Sequence, residues 1–373
     1  MKTSIITPAQ LRYALNLRDL SDPADGPHAM QIMLNDIVEA LRKAWGCEVV
    51  TYRGSPIVSI AENYDRLRYP VDGASRDARY SRYVCETALL RTMATAIVPS
   101  AMRKVAPDLP EDVLLVCPGL VYRRDSVDRL HAAEPHQLDL WRVTTKASMT
   151  SRDLLEMVGV IMQAALPGME WRVEPKVHPY TLEGIEINAL CKGEWVEVGE
   201  CGLAHPEIIR ENIPGVTGVS GLALGMGLDR LLMLRKGIRD IRLLRSSDPR
   251  VVGQMQDLAP DREVSSMPAV VRDLSLVLDA GTHNEELGGW VRESLGSDAD
   301  VVELVEILSE TSYDDLPEKA RERLGIAPGQ KNVLLRVVLR ALDRSLTDAE
   351  CNVYRDAIYK VLHRGSVMML ASG

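Results

Sequence analysis

The chain has 373 residues, 46% of them hydrophobic and 26% charged, which is room for two or three domains with real cores and the balance of an ordinary globular protein. No apolar run approaches the roughly 20 residues that cross a bilayer, and the opening MKTSIITPAQLRYALNLRDL lacks the basic cluster and apolar core of a signal peptide. The net charge of -9 argues against nucleic-acid binding by bulk attraction while leaving a local basic patch open.

In chain order, residues 27–45 (PHAMQIMLNDIVEALRKAW) predict an amphipathic helix. Pro27 suits its first turn, Met30, Met33, Leu34, Ile37 and Leu41 line one face, and Gly46 stops it. A strand, CEVVTYR, follows; 84–104 reads as helix and VLLVCPGLVYR (113–123) as strand. Ser151 caps a helix with Leu154, Leu155, Val158, Ile161 and Met162 on its apolar face. GIEINAL and EWVEVGEC, joined by Lys192 and Gly193, read as a hairpin. GVSGLALGMGLDRLLMLRKGI gives a strand, a glycine break and a helix. Strands that neighbour in sequence favour an antiparallel sheet over a Rossmann sheet. A polar, proline-containing stretch supplies a linker over 251–266. Beyond it, strand, helix, strand, strand, helix and a short last strand (VMMLAS) give the ferredoxin-like βαββαβ order, with Thr347 and Glu350 as a capping box. The fold class is therefore α+β. Six cysteines without a CxxC pair read as reduced thiols of a cytoplasmic protein. Phenylalanine is absent altogether, through biased usage or through a functional reason.

The densest chemistry lies in VYRRDSVDRLHAAEPHQLDL (121–140). Arg123 is planar and permanently charged, suited to a phosphate oxygen. Asp125 suits an adenine-type amino group or the orientation of a neighbour, and His131 an outer phosphate. Gln137 and Asp139 alternate with Leu138, so they share a strand face; an amide beside a carboxylate is what an α-ammonium group needs. An exposed hairpin with solvated charges is the competing reading. In GLALGMGLDR (221–230), Arg230 stands one turn inside a helix, where it can meet a phosphate. Glu197, on the strand before, can hold Mg²⁺ through oxygen, with Glu200 beside it; a solvated salt bridge is the alternative for each and the preferred one for Glu200.

Together these motifs resemble the class II aminoacyl-tRNA synthetases, and within them phenylalanyl-tRNA synthetase. VYRRDSVDRLHAAEPHQLD resembles motif 2, LLRTMAT (89–95) the LLRT-H-T-S segment, HPYTLEGIEI (178–187) the FPF strand, EWVEVGECGLAHPEII (194–209) the WLE…HP segment, and GLALGMGLDRLLMLRKGIRDIRLL (221–244) motif 3. The chain from PAVVRDLSLVLD to DRSLTDAE resembles the ferredoxin-fold anticodon-binding domain of the same enzymes.

The resemblance implies a class II catalytic domain over 1–250 and an anticodon-binding domain over 267–373, fused as in the single-chain type, in a monomer or homodimer. It implies an ATP- and Mg²⁺-dependent ligase that activates phenylalanine, or a close aromatic analogue, as the adenylate and passes it to tRNA. Arg123, His131 and Arg230 would be catalytic. Arg123, Asp125, His131, Glu197 and Arg230 would bind ATP, with Glu197 also at the metal. Thr95, Gln137, Asp139, His178, Tyr180 and Ala223 would bind the amino acid. Lys331, Arg336, Arg340 and Arg344 would meet tRNA, with Arg355, Lys360 and Arg364 nearby. The departures fall in the amino-acid pocket. His178 and Tyr180 replace the two phenylalanines of FPF, and Leu222 and Leu224 flank a retained Ala223. Met93, Ala94 and Thr95 replace His-Thr-Ser, Asp139 replaces glutamate, and Pro135 replaces a phenylalanine. Either the pocket was rebuilt without phenylalanine, or it prefers a different, more polar amino acid. A synthetase paralogue of specialised metabolism or resistance, and a non-catalytic tRNA-binding paralogue, are the alternative functions.

Overall fold

The computed structural model describes residues 5–73, 76, 80–123, 129, 131–132, 134–263 and 267–368. Among them thirteen strands form three sheets. They are β1 (Glu48–Thr51), β2 (Ile57–Ser59), β3 (Arg82–Cys85), β4 (Ala88–Leu90), β5 (Asp112–Leu120), β6 (His136–Thr144), β7 (Trp171–Pro175), β8 (Thr181–Cys191), β9 (Glu194–Ala204), β10 (Ser220–Gly227), β11 (Val270–Asp279), β12 (Val302–Ser312) and β13 (Gln330–Leu339).

The large sheet has the order β1-β5-β6-β10-β9-β8-β7. Every pair in it is antiparallel except β1 with β5, and the tight β8–β9 connection is one that only an antiparallel pair allows. β5 is buried along its whole length, which explains its unbroken apolar run. The β8–β9 turn is made by Lys192 and Gly193, both at positive φ. Helices Ala29–Trp45, Ser151–Ala165 and Leu228–Lys236 pack on one another, and the last two also touch the sheet. Met30, Met33, Leu34, Ile37 and Leu41 are buried as their spacing predicts. The caps shift by a residue: His28 caps the first helix, leaving Pro27 outside it, and Thr150 caps the second in a capping box with Asp153.

Residues 84–104, expected as one helix, divide differently. β4 pairs with β2 on one side and β3 on the other in a three-stranded sheet, and α-helix begins only at Val98, with Pro99 in its first turn. The apolar residues Leu89, Leu90, Met93 and Ile97 fit a helical period, but tertiary contacts override it. The Asn63 side chain holds Thr92 at both N–H and Oγ1, which fixes an extended backbone there.

By internal contacts the chain forms two compact units. The first comprises Met1–Arg123, Glu134–Arg239 and Gly253–Asp261; the second comprises Arg124–Ala133, Asp240–Val252 and Arg262–Gly373. In the second, β13 lies between β11 and β12, antiparallel to both. Helices Asn284–Leu295 and Asp348–Leu362 pack together and onto the sheet, around a core that includes Leu276, Leu287, Leu335, Val337 and Ile358. Thr347 and Glu350 form the expected capping box. The order βαββα is present, with a short extra helix, Glu318–Leu324, before β13. Val367 and Met368 are not in a strand, and the rest of VMMLAS lies outside the described residues. No helix among the described residues is long and apolar enough to cross a membrane.

In the first unit Lys236 is almost completely buried. Its ammonium donates to the Asp257 and Ala259 carbonyls at 2.9 and 2.6 Å. It ties residues 257–261 to the helix that carries Arg230, and Asp261 N–H donates to the Lys236 carbonyl at 2.7 Å. Replacing Lys236 by methionine keeps the stem and strands these acceptors. Urea unfolding is expected to show a loss of about 1–3 kcal/mol.

Candidate active site

A single line of residues crosses the large sheet. Cys117 opposes Asp139, Asp139 opposes Gly225, Gly225 opposes Glu200, and Glu200 opposes Glu186. Directly opposed residues share a face. Two carboxylates, Asp139 and Glu200, thus flank a glycine with no side chain between them. A parallel line contains Trp141, Ala223 and Gly202. A third contains Gly119, Gln137 and Gly227, and ends where helix Leu228–Lys236 starts. Leu138, Leu140, Leu222 and Leu224 alternate with these residues and point to the opposite face. The leucines flanking Ala223 therefore do not line its side of the sheet.

Asp139 is 2% exposed. Its Oδ2 accepts from Thr95 Oγ1 at 3.1 Å and its Oδ1 from Trp141 Nε1 at 3.3 Å. Burial pushes its carboxyl up to about 7, and the two hydrogen bonds and the Arg91 charge offset only part of that. Gln137 Oε1 accepts from the Ala94 N–H at 3.0 Å. Met93, Ala94 and Thr95 are thereby held over β6, with Ala94 and Thr95 buried. The expected pairing of amide and carboxylate on one face is present.

Tyr180 stacks on His178 at 5.6 Å between ring centroids and lies 6.2 Å from both Trp141 and Tyr69. Tyr180, Trp141 and Ala223 belong to one buried cluster, and Ala223 has no exposed surface. His178 Nε2 lies 3.1 Å from Glu200 Oε2. Burial works to raise the Glu200 carboxyl, but the His178 ring and the Lys176 ammonium outweigh it and hold it below its usual range.

Glu186, Glu197 and Glu200 bring carboxylate oxygens within 4.8 Å of one another. Lys176 neutralises part of this charge, 2.6 Å from Glu186 and 3.6 Å from Glu200. Desolvation, then the Glu200 and Glu186 charges, raise the Glu197 carboxyl. Glu200 does make the salt bridges foreseen for a structural glutamate, yet it sits inside this triad. Arg230 Nη1 donates to the Glu197 carbonyl at 2.8 Å. Arg123 pairs with Ser81 through an isolated bridge, and its charge acts on the Tyr69 hydroxyl together with those of Glu200 and Asp139.

The first unit thus gathers Thr95, Arg123, Gln137, Asp139, His178, Tyr180, Glu197, Ala223 and Arg230 around one sheet face. Asp125 lies outside the described residues, and half-buried His131 groups with the second unit. Four further side chains went unforeseen. Trp141 follows Gln137 and Asp139 at the same period of two, so its place was readable. Glu186 stands inside the substrate-strand motif. Tyr69 and Lys176 give no local signal.

In the second unit each proposed tRNA contact has a carboxylate partner. Lys331 meets Glu310, Arg336 grips Asp273 with two hydrogen bonds, Arg340 pairs with Glu303, and Arg344 pairs with Glu350 at 2.8 Å. Arg336 is on β13, whereas Arg340 is one residue past its end.

A side chain at position 225 tests the open floor. A Cβ there meets only the Asp139 carboxylate, Oδ2 nearest at 3.4 Å, an ordinary contact. Gly225→Val should cost stability no more than about 1–2 kcal/mol yet fill the gap between the carboxylates. Amino-acid-dependent ATP–pyrophosphate exchange is expected to fall at least about 10-fold.

A mostly antiparallel sheet, a row of buried and half-buried carboxylates, and an arginine one turn into the following helix define a fold and a site together. Residues 13–255 match the family described as tRNA synthetases class II core domain (F), and the chain belongs to that family. Within it, the chain is similar to proteins named phenylalanine–tRNA ligase alpha subunit. It is 30% identical over 245 residues to that of Heliobacterium modesticaldum, spanning 62% of this chain and 70% of the relative. It is 31% identical over 250 residues to that of Nostoc sp. strain PCC 7120, spanning 66% and 74%. The corresponding values for Bacillus subtilis are 28% over 244 residues, spanning 62% and 69%.

Proposed function

We propose that this protein activates phenylalanine, or a close aromatic analogue, with ATP and transfers the aminoacyl group to tRNA. The observation that carries this is the line Asp139–Gly225–Glu200, bordered on one side by Gln137, Glu197 and Arg230 and on the other by Trp141 and Ala223. The amino-acid carboxylate attacks the α-phosphate and pyrophosphate leaves; a tRNA ribose hydroxyl then attacks the acyl carbon, forming the ester as the acyl–phosphate bond breaks and AMP leaves. Neither step needs a covalent nucleophile, so alignment and charge carry the chemistry. Asp139 and Gln137 hold the ammonium. Arg123 clamps the amino-acid carboxylate to the α-phosphate, and Arg230 meets the outer phosphates.

The donor set of Glu197, Glu200 and Glu186 is all oxygen, which fits Mg²⁺. When bound, the ion supplies positive charge to the phosphate oxygens. Lys176 must give up part of its pairing with Glu186 and Glu200 for the ion to enter.

We assign residues 1–250 to the catalytic domain and 267–373 to an anticodon-binding domain, with the reaction in the cytoplasm and the protein a monomer or homodimer. The relatives bear the name alpha subunit, so co-purification of a second chain is the outcome that argues against that assembly. Acidic residues outnumber basic ones between 267 and 373. Binding of tRNA there rests on Lys331, Arg336, Arg340 and Arg344 exchanging carboxylates for phosphates, and is expected to weaken steeply with salt.

ATP–pyrophosphate exchange over a panel of amino acids, followed by aminoacylation of total tRNA, tests the reading. Amino-acid-dependent exchange and acid-precipitable charging are the expected results. Exchange without charging removes tRNA as acceptor; no exchange with any amino acid removes activation itself.

A further inference from the structure

Three polar groups beside the carboxylate row lack a hydrogen bond. His178 Nε2 is buried and bonds to nothing among the described residues; Glu200 Oε2 is near, at 3.1 Å, but out of line. The ring's other nitrogen, Nδ1, lies 3.2 Å from Thr181 Oγ1. That hydroxyl can donate to Nδ1, which leaves the proton on Nε2. The Tyr180 hydroxyl, on a side chain 5% exposed, makes no hydrogen bond among the described residues, and neither does that of Tyr69. Both phenols feel the charges of Asp139 and Glu200. Buried polar groups are normally paired, and His178 Nε2 is the atom of this group that is buried without a partner, so a ligand group entering here finds a donor waiting.

A hydroxyl is the group that fits. It can accept from His178 Nε2–H and donate to Glu200 Oε2, which a plain hydrocarbon ring cannot do. The surroundings set the rest of the ligand. The Tyr180 ring lies within reach of both the Trp141 and the His178 rings, and Trp141 bonds to Asp139. Ala223 has no exposed surface and shares a buried cluster with Tyr180, whose ring is held by packing and by no hydrogen bond through its hydroxyl among the described residues.

Building on the activation reading above, we infer that the pocket selects an aromatic amino acid carrying a ring hydroxyl over phenylalanine, with His178 and Glu200 as the pair that reads the hydroxyl. A site built around a substrate hydroxyl rejects the analogue lacking it by up to roughly 10⁴-fold. A preference of at least about 10-fold is expected here, because Glu200 is only half-buried.

The test is exchange by the full chain with phenylalanine, tyrosine, meta-tyrosine, 3,4-dihydroxyphenylalanine, tryptophan and leucine. The expected result is that kcat/KM for one hydroxylated ring exceeds that for phenylalanine by at least about 10-fold. His178→Phe should cut that ratio at least about 10-fold, mainly by improving phenylalanine. Tyr180→Phe removes a single oxygen and should cut it less; it serves if the first variant fails to fold. Phenylalanine as the best substrate, with a ratio unmoved by either variant, overturns the inference and leaves activation standing. Leucine as the best substrate overturns the aromatic class. Absence of exchange with every amino acid overturns activation, and the inference with it.

Discussion

Arg123→Ala is expected to lower amino-acid-dependent ATP–pyrophosphate exchange at least about 10²–10³-fold, the loss typical of removing one preorganised charge-stabilising donor. Arg123 follows β5 and is fixed by its bridge to Ser81. Its charge reaches the Tyr69 hydroxyl in company with Asp139 and Glu200, which puts it at the edge of the carboxylate row. Without a cation there, a nucleotide phosphate would meet Asp139, Glu200, Glu197 and Glu186 with less positive charge to offset them, among the described residues chiefly Lys176, Arg91 and Arg230. Arg123→Lys keeps the charge but loses the planar fork that holds two oxygens at once, so an intermediate loss is expected. Half-buried Arg123 lies outside the buried core, and thermal unfolding should move by only a few degrees. Near-normal exchange in the alanine variant would mean that the nucleotide binds elsewhere.

Much of this site was readable before any coordinates. The alternation of Gln137, Leu138 and Asp139 set which two side chains face together, and the structure adds Trp141 by the same rule. The glycine break before Arg230 located a strand end and a helix start, which are β10 and helix Leu228–Lys236. Pairing between distant strands was not readable. Nothing local sets Glu200 opposite Gly225 and Gly225 opposite Asp139, because that depends on register between strands that are remote along the chain. The same limit hid the partners of the basic residues in the second unit. Lys331 and Arg336 look like a patch along one strand, but β12 and β11 lay Glu310 and Asp273 beside them. For 84–104 the failure was of another kind. A helical period was present, and side-chain bonds from Asn63 to Thr92 outweighed it.

Asp139→Asn is expected to have opposite effects on function and stability. In the folded chain burial raises this carboxyl to about 7, against roughly 3.9 in an unfolded chain. Between those values the native state keeps a proton that the unfolded state has lost. Stability therefore falls as pH rises from about 4 to 7, and then levels off. At about 1.4 kcal/mol per unit the penalty above pH 7 is on the order of 3–4 kcal/mol as an upper bound. Asparagine removes the charge but accepts through one oxygen where Asp139 uses two, for Thr95 and Trp141, so one of those donors loses its partner. The net gain at pH 8 should be about 1–3 kcal/mol, shrinking to nothing or reversing at pH 5. Catalysis runs the other way. On the proposal that Asp139 holds the ammonium of the amino acid, the ionised carboxylate is required, and the wild-type KM for the amino acid should fall as pH rises through about 7. In Asp139→Asn that KM should be at least about 10²-fold higher at pH 8, with its dependence on pH near 7 gone. Urea unfolding and exchange kinetics from pH 5 to 8.5 measure both effects. A wild-type KM that stays flat across that range, or a variant that binds the amino acid normally, would separate the buried carboxylate from the ammonium and leave the orientation of the substrate along the row without its anchor.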